Sequence, residues 1–289
     1  MNRAVLCTAV ITLLFMAAFD QEIPVVKFNH LSYVLNPVDL KAILESHFIN
    51  ERLIACETKT ARADNPSSQT SIYLFGPSCY LELFGTAGKE DSLGVSSLAF
   101  SVDKLGELNI LKNIFNKTDK TLSVSRERDL EGVKVPWFDA MFTIDSTFVA
   151  QSRFSFWIME YRAEYFKHNE YTITNNKMTR ENYLQKYAPE RKNKIVKRFS
   201  GVTMKLSPFE KQYLADFFMR LGFKKTAENL FLLPDNFRFS LENRAPDDLK
   251  TIASIEFETN KSFAKKEKFQ ISDNLFISID GHSGRMIFK

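Results

Sequence analysis

FNHLSYVLNPVDLKAILESHF, residues 28–48, decides the fold because its hydrophobic period changes halfway along. FNHLSYVL (28–35) reads as an apolar strand, whose side-chain period of two puts Phe28, His30, Ser32 and Val34 on one face. From Asn36 the spacing turns helical: Leu40, Ile43 and Leu44 recur three and four apart, Asn36 can cap, and Pro37 suits the first helical position. Three strands are expected next, LIACETKTA (53–61), SIYLFG (71–76) and CYLELFG (79–85), with the turn-rich ARADNPSSQT between the first two. The unit is strand, helix, strand, strand, strand.

Laying the chain against itself brings the unit back. SSLAFSVDKLGELNILKNIF (96–115) overlies HLSYVLNPVDLKAILESHF, with Ser97 in the place of His30 and Asp103 in the capping place of Asn36. LSVSRERD (122–129), AMFTI (140–144) and FSFWIMEY (154–161) complete it. A third unit opens at GVTMKLSPFEKQYLADFFMRLGF (201–223) and continues through NLFLLP (229–234) and NFRFSLEN (236–243). IASIEFET (252–259) and DNLFISIDGHSGRMIF (273–288) read as a shortened fourth, in which Asp280-Gly281 is expected to start a hairpin turn and leave His282 a turn residue. The stretch 161–199 has no counterpart and reads as a connector, helical over 179–187, from which Tyr161, Tyr165 and His168 can either reach over a site or stay exposed. The predicted class is α+β: paired βαβββ modules forming cupped mixed sheets, two module pairs with the fourth module shortened. The predicted domains are a signal peptide (1–20), a module pair with the candidate site (22–162), a connector (163–199) and a second, degenerate pair (200–289).

Composition agrees with a globular chain: 289 residues, 44% hydrophobic and 26% charged. A net charge of +4 on 39 basic and 35 acidic residues, with no basic stripe beyond KNKIVKR (192–198), argues against nucleic acid as a partner. Arg3 followed by AVLCTAVITLLFMAA (4–18) has the form of an export signal, too short to span a bilayer once the alternative of an anchor is weighed. The expected location is secreted or periplasmic, without a stable membrane span after cleavage. The remaining Cys56 and Cys79 either pair in an oxidising compartment or stay as buried thiols.

Repeated βαβββ units with His30 in the first strand and Glu82 in the closing strand CYLELFG resemble the vicinal oxygen chelate superfamily, which includes glyoxalase I, bleomycin-resistance proteins and extradiol dioxygenases. FNHLSYVL, YLFGPSCYLELFG and FSFWIMEY further resemble secreted bacterial glyoxalase-like domains. The resemblance covers 26–161 well and 200–289 loosely. It implies that each pair of modules curls into a cup with ligands pointing inward from opening and closing strands. His30 and Glu82 match two such positions, Ser97 stands at a third, and Glu160 is the candidate for the fourth. One imidazole and two carboxylates suit Fe, Mn, Zn or Ni with open positions for water and substrate. Without a metal, His30 and Glu82 are expected to satisfy each other, because neither is tolerated alone on an apolar face.

Three functions stay open. One is a metal-dependent lyase, isomerase or dioxygenase acting on a small oxygen-rich substrate, in which His30, Glu82 and Glu160 hold the metal and Glu82 or Glu160 serves as catalytic base. Another is a metal-free module binding a small molecule in a cup lined by Tyr33, Tyr80, Phe84, Phe156 and Trp157. The third is an interaction domain without a ligand. Units three and four carry no matching donors, Glu242 lying at a strand end, and no phosphate loop, nucleophile elbow or HExxH is present.

Overall fold

A computed structural model of the chain describes residues 22–60, 70–117 and 120–289; the export signal expected at 1–20 lies outside them. The first unit runs β1 (Lys27–Leu35), α1 (Pro37–Glu45), β2 (Ala55–Lys59), β3 (Ser71–Phe75) and β4 (Tyr80–Gly85). Asn36 caps α1 by accepting from the backbone N–H of Asp39 at 2.8 Å, and Pro37 follows at the first helical position, as its spacing predicts. The second unit runs β5 (Ser96–Val102), α2 (Glu107–Phe115), β6 (Lys120–Leu130), β7 (Val133–Ile144), a short α3 (Ser146–Gln151) and β8 (Phe154–Tyr161). Together they form one eight-stranded sheet in the order β2-β3-β4-β1-β5-β8-β7-β6. In each unit the opening strand pairs parallel with the closing strand, and the two opening strands meet antiparallel in the middle.

The connector holds α4 (Ala163–His168), α5 (Arg180–Tyr183) and α6 (Ala188–Arg191). A second sheet follows, with β9 (Val196–Leu206), α7 (Pro208–Arg220), β10 (Lys224–Ala227), β11 (Leu230–Leu232), β12 (Arg238–Asn243), β13 (Ile252–Gln270) and β14 (Leu275–Phe288), ordered β10-β11-β12-β9-β13-β14. This is a complete third unit joined to a fourth reduced to one long hairpin. The fold is therefore α+β, built of paired βαβββ units. Ser207 and Glu210 form a reciprocal capping box on α7, and the buried Glu210 also accepts from Arg244 at 2.8 Å and from the backbone N–H of Arg153 at 2.7 Å.

Four expectations need correcting. Asp103 does not cap α2, since the chain runs three residues further to Gly106 before the helix starts; it pairs instead with Lys27. β7 begins at Val133 rather than Ala140, because Pro136 sits where β7 has run past its pairing with β8 and its missing N–H costs nothing there. Asp280-Gly281 is no hairpin turn: β14 continues through it, and Gly281, with φ of +56°, absorbs a register shift in the ribbon with β13. The connector is not an exposed strap. Tyr165, Phe166, Met178, Tyr183 and Leu184 are buried in a second apolar cluster on one face of the first sheet. Arg180, also buried, donates to the Phe28 carbonyl and, at 3.0 Å, to Asp235, tying connector, first sheet and second sheet together.

The helix-bearing faces of both sheets merge in one core. Phe28 of β1 stacks on Phe237 at 4.3 Å, and Phe100 of β5 meets Phe217 and Phe218 of α7 at 6.0 and 5.8 Å. Cys56 and Cys79 are free thiols, half-buried and buried. Among the described residues no helix is long and apolar enough to cross a membrane.

Candidate functional site

The concave face of the first sheet, under the connector, encloses a cavity of about 150 Å³. Its floor is a row of side chains across paired strands, Phe75, Tyr80, His30, Ala99 and Trp157 on β3, β4, β1, β5 and β8. His30 stacks on Tyr80 at 4.5 Å and meets the edge of Trp157 at 5.5 Å. From the connector Tyr183, Lys186 and Tyr187 close over this row, with Tyr187 stacked on Phe75 at 3.5 Å. From β6 and β7 come Arg128, Trp137 and Phe138.

A β-bulge aims His30. The register between β1 and β5 shifts between Phe28 and His30, so Phe28 turns into the core while Asn29 and His30, consecutive in sequence, both belong to the concave side. Strict alternation, which puts Phe28 and His30 on one face, fails at that point. Asn29 is buried and uses its amide N–H groups on Ser101 Oγ at 3.1 Å and the Tyr161 hydroxyl at 3.2 Å. Its carbonyl oxygen is left for the Nδ1–H of His30, at 2.8 Å. The imidazole is thus held as the Nδ1–H tautomer, with Nε2 as its acceptor. Burial pushes its pKa down to about 3, so the ring is neutral near pH 7.

Glu82 lines the same cavity, but its partner is not His30. It accepts from Ser32 Oγ at 2.9 Å, its register neighbour on β1, and from the Tyr73 hydroxyl of β3. Burial and this carboxylate hold the Tyr73 pKa well above the usual tyrosine range, so the hydroxyl stays a donor. Glu57 is occupied in the same way by the Tyr187 hydroxyl at 2.6 Å. The basic wall groups meet no carboxylate at ion-pair distance, although Arg128 donates to the Tyr165 hydroxyl at 3.0 Å. Lys59 lies 4.0 Å over the Tyr73 ring, Arg128 4.7 Å over Trp137 and Lys186 4.7 Å over Tyr187, and none of the three forms an ion pair among the described residues. Desolvation lowers the pKa values of Lys59 and Lys186 and outweighs the opposing pull of Glu57 on both. The Trp137 Nε1–H is buried and also lacks an acceptor.

The remaining predicted site residues lie elsewhere. Glu160 is on the opposite face of β8 from Trp157 and Met159, where it accepts from the Leu108 and Gly106 backbone N–H groups at the start of α2. Burial raises its pKa against the pull of those two donors. It is a helix-end anchor, the task the repeat assigned to Asp103. Tyr33 packs on Phe288 at 5.2 Å and Phe156 on Phe217 at 4.2 Å, both away from the cavity, and Phe84 is not part of its wall. Ser97 pairs its hydroxyl with Ser155 at 2.9 Å. Of the predicted residues the structure brings together His30, Glu82, Tyr80 and Trp157. Among the described residues no three His, Cys, Asp or Glu side chains stand close enough to hold a metal, and three cationic groups share the cavity wall with His30 and Glu82. The three-ligand set does not fit this arrangement.

In overall shape the chain is similar to a hypothetical protein from Staphylococcus aureus, at 8% identity and a TM-score of 0.55 over 86% of this chain and 96% of that one. Lower scores relate it to a methylmalonyl-CoA epimerase from Streptomyces coelicolor (TM-score 0.28, 11% identity, 46% of this chain and 95% of that one). A glyoxalase I mutant from Zea mays stands at TM-score 0.27 and 12% identity, over 89% of this chain and 92% of that one. No curated protein matches the sequence. Residues 28–288, nearly all that the two sheets contain, match one family, and the chain belongs to it: the Family of unknown function (DUF5829).

Proposed function

We propose that the concave face of the first sheet binds a small, flat, anionic organic molecule without help from a metal. One observation carries this reading: the cavity wall holds three cations resting on aromatic rings and unpaired by carboxylates, while both wall glutamates are already taken by hydroxyl donors. An incoming anion gains charge-assisted hydrogen bonds from groups that no carboxylate pairs, and the rings supply stacking area. The volume, about 150 Å³, is on the order of that which accepts a single benzene ring. The metal-dependent lyase, isomerase or dioxygenase reading is set aside because Glu160 is spent on α2. Export of the chain, read from residues 1–20, belongs to the same proposal, and N-terminal sequencing of protein from its native host tests it.

The chain has two tryptophans, Trp137 and Trp157, and both line the cavity, so intrinsic fluorescence reports this site alone. Saturable quenching by benzoate and none by benzylamine is expected, with benzoate affinity falling about tenfold in Arg128→Met, the loss of one charge-assisted contact. Equal response to the cation, or stoichiometric metal in protein purified without chelator and lost in His30→Ala, overturns the proposal.

A further inference from the structure

The cavity is polar at both ends in opposite senses. Its deep wall holds His30, Tyr80, Met159 and Tyr183, all buried, whereas Lys59 and Arg128 are half-buried and Lys186 is exposed at the mouth. Among the deep groups the Nε2 of His30 is an acceptor by construction. Asn29 turns its carbonyl oxygen to Nδ1 and its amide N–H groups to the Ser101 and Tyr161 hydroxyls, and an amide oxygen only accepts, which puts the proton on Nδ1. The Tyr80 ring packed on one side and the Trp157 edge on the other prevent it from turning out of the row. A lone acceptor in such a place goes unsatisfied when the cavity fills with a purely apolar end, at a cost comparable to a lost hydrogen bond.

We infer that the molecule held here, given the anion-binding reading on which this rests, carries a hydrogen-bond donor, a hydroxyl or N–H, at the end opposite its negative charge. The anion stays at the mouth with Lys59, Arg128 and Lys186, the ring lies along the aromatic floor, and the donor reaches His30 Nε2. Glu82, engaged by Ser32 and Tyr73, is not needed as the acceptor. No bond is made or broken in this step; it is recognition by complementary ends.

Three probes differing only at the far end test it on the intact protein: 4-hydroxybenzoate, benzoate and 4-methoxybenzoate, followed by tryptophan fluorescence and calorimetry. The hydroxy acid is expected to bind at least about tenfold more tightly than the methoxy acid, with benzoate between, a difference of the size expected when a buried acceptor is left unpaired. In His30→Phe, which keeps a ring on Tyr80 but removes the acceptor, that preference should vanish while benzoate still binds. The wild-type series decides the matter even if this variant fails to fold. Equal affinity for the three acids, or a preference for the methoxy acid, which would place the proton on Nε2, overturns the inference and leaves the anion reading standing. Failure of all three acids to bind overturns both.

Discussion

Across β4, β1, β5 and β8 of the first sheet the paired residues are Tyr80, His30, Ala99 and Trp157; across β12, β9, β13 and β14 of the second they are Arg238, Gly201, Glu256 and Arg285. The two rows occupy the same place in the repeat, because His30 stands six residues before the helix cap Asn36 as Gly201 does before Ser207. One is an aromatic floor around a neutral imidazole. The other is an ion triplet, with Glu256 receiving Arg238 at 2.7 Å and Arg285 at 3.0 Å. Gly201 is what admits it: a Cβ there would lie 3.0 Å from the Arg238 carbonyl and 3.1 Å from Glu256 Oε2. The same backbone ladder therefore supports a walled aromatic floor or an open charged row. Which one results depends on the opening-strand residue and on what covers it. The first sheet has β6, β7 and the connector to wall its face; the second has only the β13–β14 hairpin.

The swap of opening-strand residues should have the largest effect. His30→Gly removes a buried ring stacked on Tyr80 and orphans the Asn29 carbonyl oxygen, for an expected loss of about 3 kcal/mol by denaturant unfolding. Gly201→His forces a side chain into the space used by Glu256 and Arg238, with a loss of similar size, about 3 kcal/mol. Tryptophan emission should shift in the first variant and stay unchanged in the second. If the second also shifts it, the two faces are coupled and the comparison breaks.

Acid should separate the halves next. The folded-state pKa of His30 is depressed to about 3 from 6.5, so the unfolded chain takes up a proton that the folded chain refuses. Stability is untouched above pH 6.5 and falls as pH drops toward 3, by roughly 2 kcal/mol by about pH 5. In the second sheet the hydrogen bond from Arg198 holds the Glu258 carboxyl below its usual 4.5; its contribution is complete above that value and is lost only as pH falls further. A melting series from pH 7 to pH 5 should therefore show a loss that His30→Asn largely removes and Glu258→Gln leaves in place. An unchanged slope in the His30 variant would put the acid-sensitive group elsewhere.

The repeat and its first cap were legible because period and capping chemistry are local: Asn36-Pro37 announces its helix before any tertiary contact is known. Half of the site was legible too, since His30, Glu82, Tyr80 and Trp157 all belong to strands that the pattern identifies. Glu160, Phe156 and Tyr33 were misplaced through parity. Phe156 and Trp157 are adjacent on one strand, and Trp157 and Glu160 stand three apart, so neither can share a face with Trp157 in a regular strand. Counting parity from Trp157 would have excluded both. Trp137 escapes the pattern for a different reason, as Pro136 and the charged flank of β7 hide the strand's first half, whereas Arg128 lies in the expected strand 122–129 with nothing local to set it apart from Arg126. Nothing local marks Tyr183, Lys186 or Tyr187. Their place is set by a connector docking through Tyr165, Phe166 and Arg180, contacts too distant in sequence to leave a period.

The smallest expected effect is the most discriminating, because it removes the residue corresponding to Trp157. Arg285 is 61% exposed and holds Glu256 from the outside, while Arg238 holds the same carboxylate from the other strand at the shorter distance. Arg285→Ala leaves Glu256 paired and uncovers little apolar area. An exposed ion pair with a surviving partner contributes under about 1 kcal/mol, and salt should shrink even that. Trp157→Ala, by contrast, takes an aromatic wall from His30 and Phe142, and its cost should exceed that of Arg285→Ala by at least about 1 kcal/mol at any salt concentration. Chemical denaturation of the two variants at low and high salt measures both numbers. A cost for Arg285→Ala equal to that of Trp157→Ala, or one that salt does not reduce, would mean that the charged row is packed like the aromatic one and that the second sheet is not the open face its ion triplet implies.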